Sequence, residues 1–171
     1  MSAADEWVQV VDSHNRPCGA TRRWRVRRFR MWHRASYIFV LGSSGRLCVQ
    51  TRTLTKDTWP GAYDLCAGGV VAAGEATHIG ARRELAEELG ILGVSLQRCF
   101  GLAFDDGNLR VFGDVFLVRY QGDMVLQQSE VAAIGWYDVK QALALDPVTP
   151  DSRAALKQLV SDGWLGSGAA G

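Results

Sequence analysis

The sequence predicts a layered α/β domain. Two observations point there. Runs of β-branched and aromatic residues alternate with turn-forming residues along much of the chain, and helical periodicity replaces them between Ala76 and Leu89 and again near the C-terminus. The length of 171 residues fits one domain better than two. A chain of that size buries roughly 70% of its unfolded surface, so it needs neither disulfide nor metal to fold.

Taken in order, Glu6 to Val11 is a short strand candidate, and Asp12 to Pro17 are turn residues. Ser36 to Leu41 (SYIFVL) is rich in β-formers, and GSSG at Gly42 to Gly45 reads as a hairpin turn into the strand Arg46 to Thr51. Trp59-Pro60-Gly61 breaks the chain. Gly68-Gly69 then precedes a short apolar stretch, Val70 to Ala72. Helical periodicity runs from about Ala76 to Leu89, with Gly90 as its stop. Strands are expected near Leu96 to Ala103, Val111 to Tyr120 and Ala132 to Tyr137. Helices are expected over Val139 to Leu145 and Pro150 to Val160, the latter with Thr149 as N-cap. The domain plan is an arginine-rich N-terminal arm with short strands over 1–34, the folded domain over 35–162, and a flexible tail over 163–171, where Gly166 to Gly171 read as disordered.

Composition excludes more than it identifies. The chain is 47% hydrophobic and 22% charged with net charge +1, which excludes general disorder and gives no global pull toward nucleic acid or membrane. Locally, eight arginines lie between Arg16 and Arg34 with no acidic residue among them. Such a run either solvates an exposed face or attracts phosphate-bearing ligands. The four cysteines, Cys18, Cys48, Cys66 and Cys99, have no C-x-x-C spacing, and Cys48 and Cys66 read as core residues. No signal-peptide pattern and no long apolar run is visible, so a reducing, cytoplasmic setting is expected.

The informative segment is Gly69 to Ile91, GVVAAGEATHIGARRELAEELGI. On a helix Glu84, Glu87 and Glu88 fall within about 60° of a common direction. Three like charges on one face repel. Hard divalent cations want several carboxylate oxygens converging from one side, so a cation turns the repulsion into a binding site. The adjoining face, Ala81, Leu85 and Leu89, can pack on a sheet. A solvated acidic face paired with Arg82 and Arg83 is the alternative reading.

The surrounding residues resemble the signature of the Nudix hydrolases. Its fixed places are filled by Gly69, Glu75, Arg83, Glu84, Leu85, Glu87, Glu88, Gly90 and Ile91, nine positions across 23 residues. The resemblance implies an α/β/α sandwich on a central mixed sheet with a loop–helix–loop catalytic motif. It implies that Glu84, Glu87 and Glu88, with a backbone carbonyl near Gly68, bind Mg²⁺ or Mn²⁺, and that Glu75 and Arg83 tie loop to helix. It implies that Gly69 and Gly90 meet backbone needs at the two ends, and that Glu84 positions or deprotonates the attacking water. Glu130 is a weaker alternative base or ligand. The implied partner is a small-molecule diphosphate, with room for a homodimer, no membrane, and nucleic acid only as capped RNA.

Upstream, RTLTKDTWPG (Arg52 to Gly61) resembles a segment of isopentenyl diphosphate isomerases, which share the Nudix fold. There the arginine and lysine, here Arg52 and Lys56, grip the substrate diphosphate, a fork and a point charge suited to phosphate. By eye, however, the isomerase cysteine falls on Gly68 and its glutamate near Val111, with Cys66 two residues out of register. The expectation is an isomerase-like hydrolase of diphosphate linkages. An isomerase and a non-catalytic nucleotide-sensing module are the alternatives. Trp59, Trp32 and Phe104 are candidates to stack on a base.

Overall fold

A computed structural model of the chain describes residues 2–166. Its strands are β1 (Trp7–Val11), β2 (Pro17–Arg22), β3 (His33–Leu41), β4 (Leu47–Arg52), β5 (Tyr63–Asp64), β6 (Ala67–Val70), β7 (Gln97–Asp105), β8 (Arg110–Arg119) and β9 (Val131–Tyr137). The helices are α1 (Arg23–Arg28), α2 (Thr77–Leu89), α3 (Val139–Ala144) and α4 (Pro150–Ser161).

Strand β3 organises the molecule. Its run Ala35 to Leu41 is buried throughout, as a strand covered on both faces must be. It pairs in parallel with β8 along its whole length and antiparallel with β6 over Ala35 to Ile38. Strand β7 continues the sheet antiparallel to β8, and β4 carries β5 and β9 on a wing joined to β3 at Leu41–Leu47. The sheet is therefore mixed. Side chains of β3 alternate between two cores. Tyr37, Phe39 and Leu41 pack toward α3 and α4, among Leu65, Leu156 and Leu159. Ile38 and Val40 pack toward α2, among Ala81, Leu85 and Leu89. The result is an α/β/α sandwich. Fully burying each of the two leucines stabilises it by about 1.5–3 kcal/mol.

Sequence patterns missed β2, α1, the two-residue β5 and β6. The N-terminal segment is a β1–β2 hairpin followed by α1, joined to β3 by the Val10–His33 pair and to the loop before α2 by the bond from Ala73 N–H to Trp7 O. Val8, Val10 and Val26 form a small core beneath it. Helix α1 has six residues, an arginine at its N-cap and no capping side chain, so neither caps nor periodicity announce it. Tertiary contact, with Val26 buried, holds it. Thr149 does precede α4, but its hydroxyl bonds Ser152 and Asp64 instead of capping the helix. After α4 the chain turns at Gly163, and Trp164 and Leu165 pack on the core. The rest of the expected tail, 167–171, lies outside the described residues.

Candidate active site

Helix α2 delivers the glutamates. Its apolar stripe of Ala81, Leu85 and Leu89 is pressed on the sheet, which fixes the rotation of the helix about its axis. Gly90 ends it at φ 67°, where its N–H bonds the Ala86 carbonyl and the N–H of Ile91 bonds that of Leu85. This left-handed conformation is open to glycine at little cost. The stripe turns Glu84 and Glu88 inward and leaves Glu87 half exposed.

Each carboxylate has a definite partner. Glu88, only 7% exposed, accepts from Gln50 Nε2 on β4 at 3.0 Å and from the Gly68 N–H on β6 at 3.3 Å. Glu84 lies against β6. A Cβ on Gly69 would stand 2.8 Å from its carboxyl carbon, so a side chain here would push the Glu84 carboxylate aside. Arg83 joins the set. It holds Glu75 with two bonds of 2.9 and 3.1 Å, and its Nη1 reaches Glu84 at 2.8 Å and Glu87 at 3.3 Å. Glu75 in turn accepts the Ala72 N–H, which ties the loop before α2 to the helix.

Burial makes these acids reluctant to ionise. It pushes the Glu84 carboxyl above its ordinary value, an effect that Arg83 opposes and Glu87 reinforces. Burial pushes Glu88 up as well, with Glu84 and Asp64 adding repulsion that the Gln50 bond only partly offsets. Glu75 moves the other way, held down by its bonds to Arg83. Among the described residues, no three His, Cys, Asp or Glu side chains stand in a ligating arrangement. Arg83 and Gln50 occupy the carboxylate oxygens instead. The donor set nevertheless suits a hard divalent cation. Two like-charged carboxylates, Glu88 buried and Glu84 part-buried, face a strand with no side chain at Gly68 or Gly69, and a cation there relieves both repulsion and desolvation.

Beside the glycines opens a cleft of about 520 Å³, a size that fits a small organic ligand. Gly68 and Gly69 line it. So do Arg52 and Lys56, but their charged groups are already engaged. Arg52, 14% exposed in its side chain, donates to the carbonyls of Thr58 and Trp59 at 2.9–3.2 Å and to Asp64 at 3.0 Å. Lys56 pairs with Glu130, and burial together with the Arg52 charge pushes its ammonium down to about 8. Arg52 thus ties down the loop between β4 and β5, and Glu130 serves as the Lys56 counter-ion. Trp59 stands half exposed at the cleft in the left-handed region, at φ 50°. Trp32 stacks on Phe112 instead, with ring centroids 4.6 Å apart, and Phe104 packs on the core.

Sequence reasoning missed several cleft residues. Tyr37 O–H donates to Asp151 at 2.8 Å, and burial with the nearby Asp64 charge pushes Asp151 up to about 6. Arg23, Arg27 and Arg30 of the N-terminal segment also line the cleft. A charge run could point to these arginines but could not say which face they take. Nothing in the sequence singles out Gln50 or Asp151.

A helix carrying buried glutamates over two glycines, beside a cationic cleft in an α/β/α sandwich, defines a metal-dependent enzyme of phosphate anhydrides. The chain belongs to the Nudix family: the NUDIX domain model matches residues 31–159. It is 41% identical over 155 residues to the "Uncharacterized Nudix hydrolase YfcD" of Escherichia coli K12, covering 90% of this chain and 86% of the relative. A Pseudomonas aeruginosa Nudix hydrolase is 37% identical over 157 residues, covering 89% and 92%. Among solved structures, a Deinococcus radiodurans protein superposes with TM-score 0.78 at 22% identity, covering 90% of this chain and 98% of that one. The NUDIX domain of Shewanella oneidensis NrtR, solved with ADP ribose, superposes with TM-score 0.61 at 14% identity over 75% of this chain and 86% of that one. The fold is the Nudix fold, and the protein is a Nudix hydrolase, acting on phosphorus-containing acid anhydrides as that family does, with the family's need for a divalent metal. No described helix is long and apolar enough to cross a membrane.

Proposed function

We propose that the chain hydrolyses the diphosphate linkage of a nucleoside diphosphate derivative or a similar small organic diphosphate, with Mg²⁺ or Mn²⁺ held by Glu84, Glu87, Glu88 and the backbone at Gly68. The observation that carries this is the pair of inward-turned carboxylates, buried Glu88 and part-buried Glu84, set against a side-chain-free strand at the edge of the cleft. A bound divalent cation there supplies neutralisation of diphosphate oxygens and a lowered pKa for an attacking water. Glu84, its basicity raised by burial, accepts that water's proton. Arg83 holds Glu84 in place through the Glu75 clamp. Arg52 and Lys56 keep the substrate loop closed over the cleft, and the exposed ring of Trp59 is placed to stack on a base.

Isoprenoid isomerisation fits less well. The isomerase-like arginine is engaged by loop carbonyls, and the Cys66 thiol is buried beside Asp64 and pushed well up, first by burial, away from the reactive thiolate. The test is a panel of nucleoside triphosphates, nucleotide sugars, dinucleoside polyphosphates, coenzyme A and isopentenyl diphosphate, each with Mg²⁺, Mn²⁺ or EDTA. Metal-dependent release of phosphate-containing products from a diphosphate substrate is expected. Deuterium incorporation into the isoprenoid, with no hydrolysis of any other compound, would replace this reading with the isomerase.

A further inference from the structure

The arginines of the N-terminal segment do more than solvate a surface. Arg23 and Arg27 on α1, and Arg30 just after it, line the same cleft as the glycines. Their neighbours Arg25 and Arg28 are exposed and do not line it. The guanidiniums of the wall are under-compensated. The Arg30 side chain makes no ion pair or hydrogen bond among the described residues, and Arg23 Nε is buried without a partner. The carboxylates that do pair with the wall, Glu6 with Arg23 and Asp57 with Arg27, are about half exposed, so these pairs are weak and exchangeable. The wall is also crowded with like charge: burial, then Arg23 and Arg52, push the Arg27 guanidinium down to about 10. An anion removes that repulsion and supplies the missing acceptor.

We infer that Arg23, Arg27 and Arg30 form a second anion subsite, which takes a phosphoryl group beyond the pair of phosphates at the glutamate helix. The inference rests on the cleft being the substrate site, and it narrows the substrate to a polyphosphate or to a nucleotide carrying an additional phosphate. Three arginines lining one cleft favour phosphate over a lone carboxylate, because each guanidinium fork matches two phosphate oxygens. Arg52 cannot fill this role while it holds Thr58 and Trp59.

The test is calorimetric titration of the full chain with inorganic tripolyphosphate and with pyrophosphate, in EDTA at about 0.15 M salt, where screening confines electrostatics to about 8 Å. Without metal, only side chains and backbone hold the anion, and failure here leaves metal-dependent hydrolysis untouched. Wild type should bind tripolyphosphate more tightly than pyrophosphate. Arg27→Gln and Arg30→Gln should each weaken tripolyphosphate binding roughly tenfold or more, the effect of losing one charge-assisted contact. Arg25→Gln and Arg28→Gln should change it less than about twofold. Equal weakening in all four variants would show a diffuse field in place of a subsite, and no weakening in any would remove the wall from binding; either result overturns the inference. Should Arg27→Gln fail to fold, Arg30→Gln decides alone, since that exposed side chain makes no ion pair or hydrogen bond among the described residues.

Discussion

Glu88→Gln should stabilise the metal-free protein at alkaline pH while abolishing activity. The Glu88 carboxyl is 7% exposed and its pKa is pushed up to about 8, first by burial. The folded state therefore holds a proton on Glu88 that the unfolded state releases near pH 4.5. The sign follows: between pH 4.5 and about 8 the folded chain binds more protons, so stability contributed by this group is full at the acid end and lost as pH rises. At 1.36 kcal/mol per pKa unit the loss is at most about 5 kcal/mol. Glutamine fills the same volume and still accepts a hydrogen bond, but carries no charge to desolvate. Each kcal/mol shifts Tm by about 2–4 °C in a chain of this size. The assay is thermal denaturation at pH 5, 6.5 and 8, with EDTA or with excess Mg²⁺. In EDTA the wild-type Tm should fall across this range relative to the variant, and Glu88→Gln should melt higher at pH 8. Added Mg²⁺ should raise the wild type most at pH 8 and the variant least. A variant that melts lower than wild type at pH 8 in EDTA would refute the reasoning, because Glu88 would then contribute more through its bonds to Gln50 and Gly68 than its burial costs.

Gly69→Ala should leave Tm within the equivalent of about 1 kcal/mol, since glycine-to-alanine changes at compatible backbone are mild. It should nonetheless cut kcat sharply, because the new Cβ would displace the Glu84 carboxylate 2.8 Å away; steady-state kinetics beside a melt checks both. Arg52→Ala should lower stability by about 1–3 kcal/mol and raise KM together, as the part-buried Thr58 carbonyl, the Trp59 carbonyl and the Asp64 carboxylate lose their donor. A raised KM at unchanged Tm would instead point to direct contact with substrate.

How much of this was legible beforehand differs by element. Strand β3 was readable because burial on both faces demands an unbroken apolar run, and α2 because its leucines recur at helical spacing before a glycine stop. The glutamates were legible through their spacing on one helix, a local property. The role of Arg52 was not, because it depends on carbonyls six and seven residues away that only the folded loop presents. The cleft wall of α1 was hidden for a similar reason. RWRVRR has no cap and only Val26 to bury, so its existence and orientation are set by packing on β1 and by the Asp57 contact from another loop.

The central claim is that the glutamates of α2 carry metal-dependent hydrolysis. Its most direct measurement is turnover of the best panel substrate by Glu84→Gln and Glu88→Gln, each with saturating Mg²⁺ and with circular dichroism and melting curves to show that the fold is retained. The account predicts that both variants lose several orders of magnitude in kcat, since the metal's charge neutralisation and the water's activation fail together. Folded variants that both turn over at near wild-type rates would contradict it.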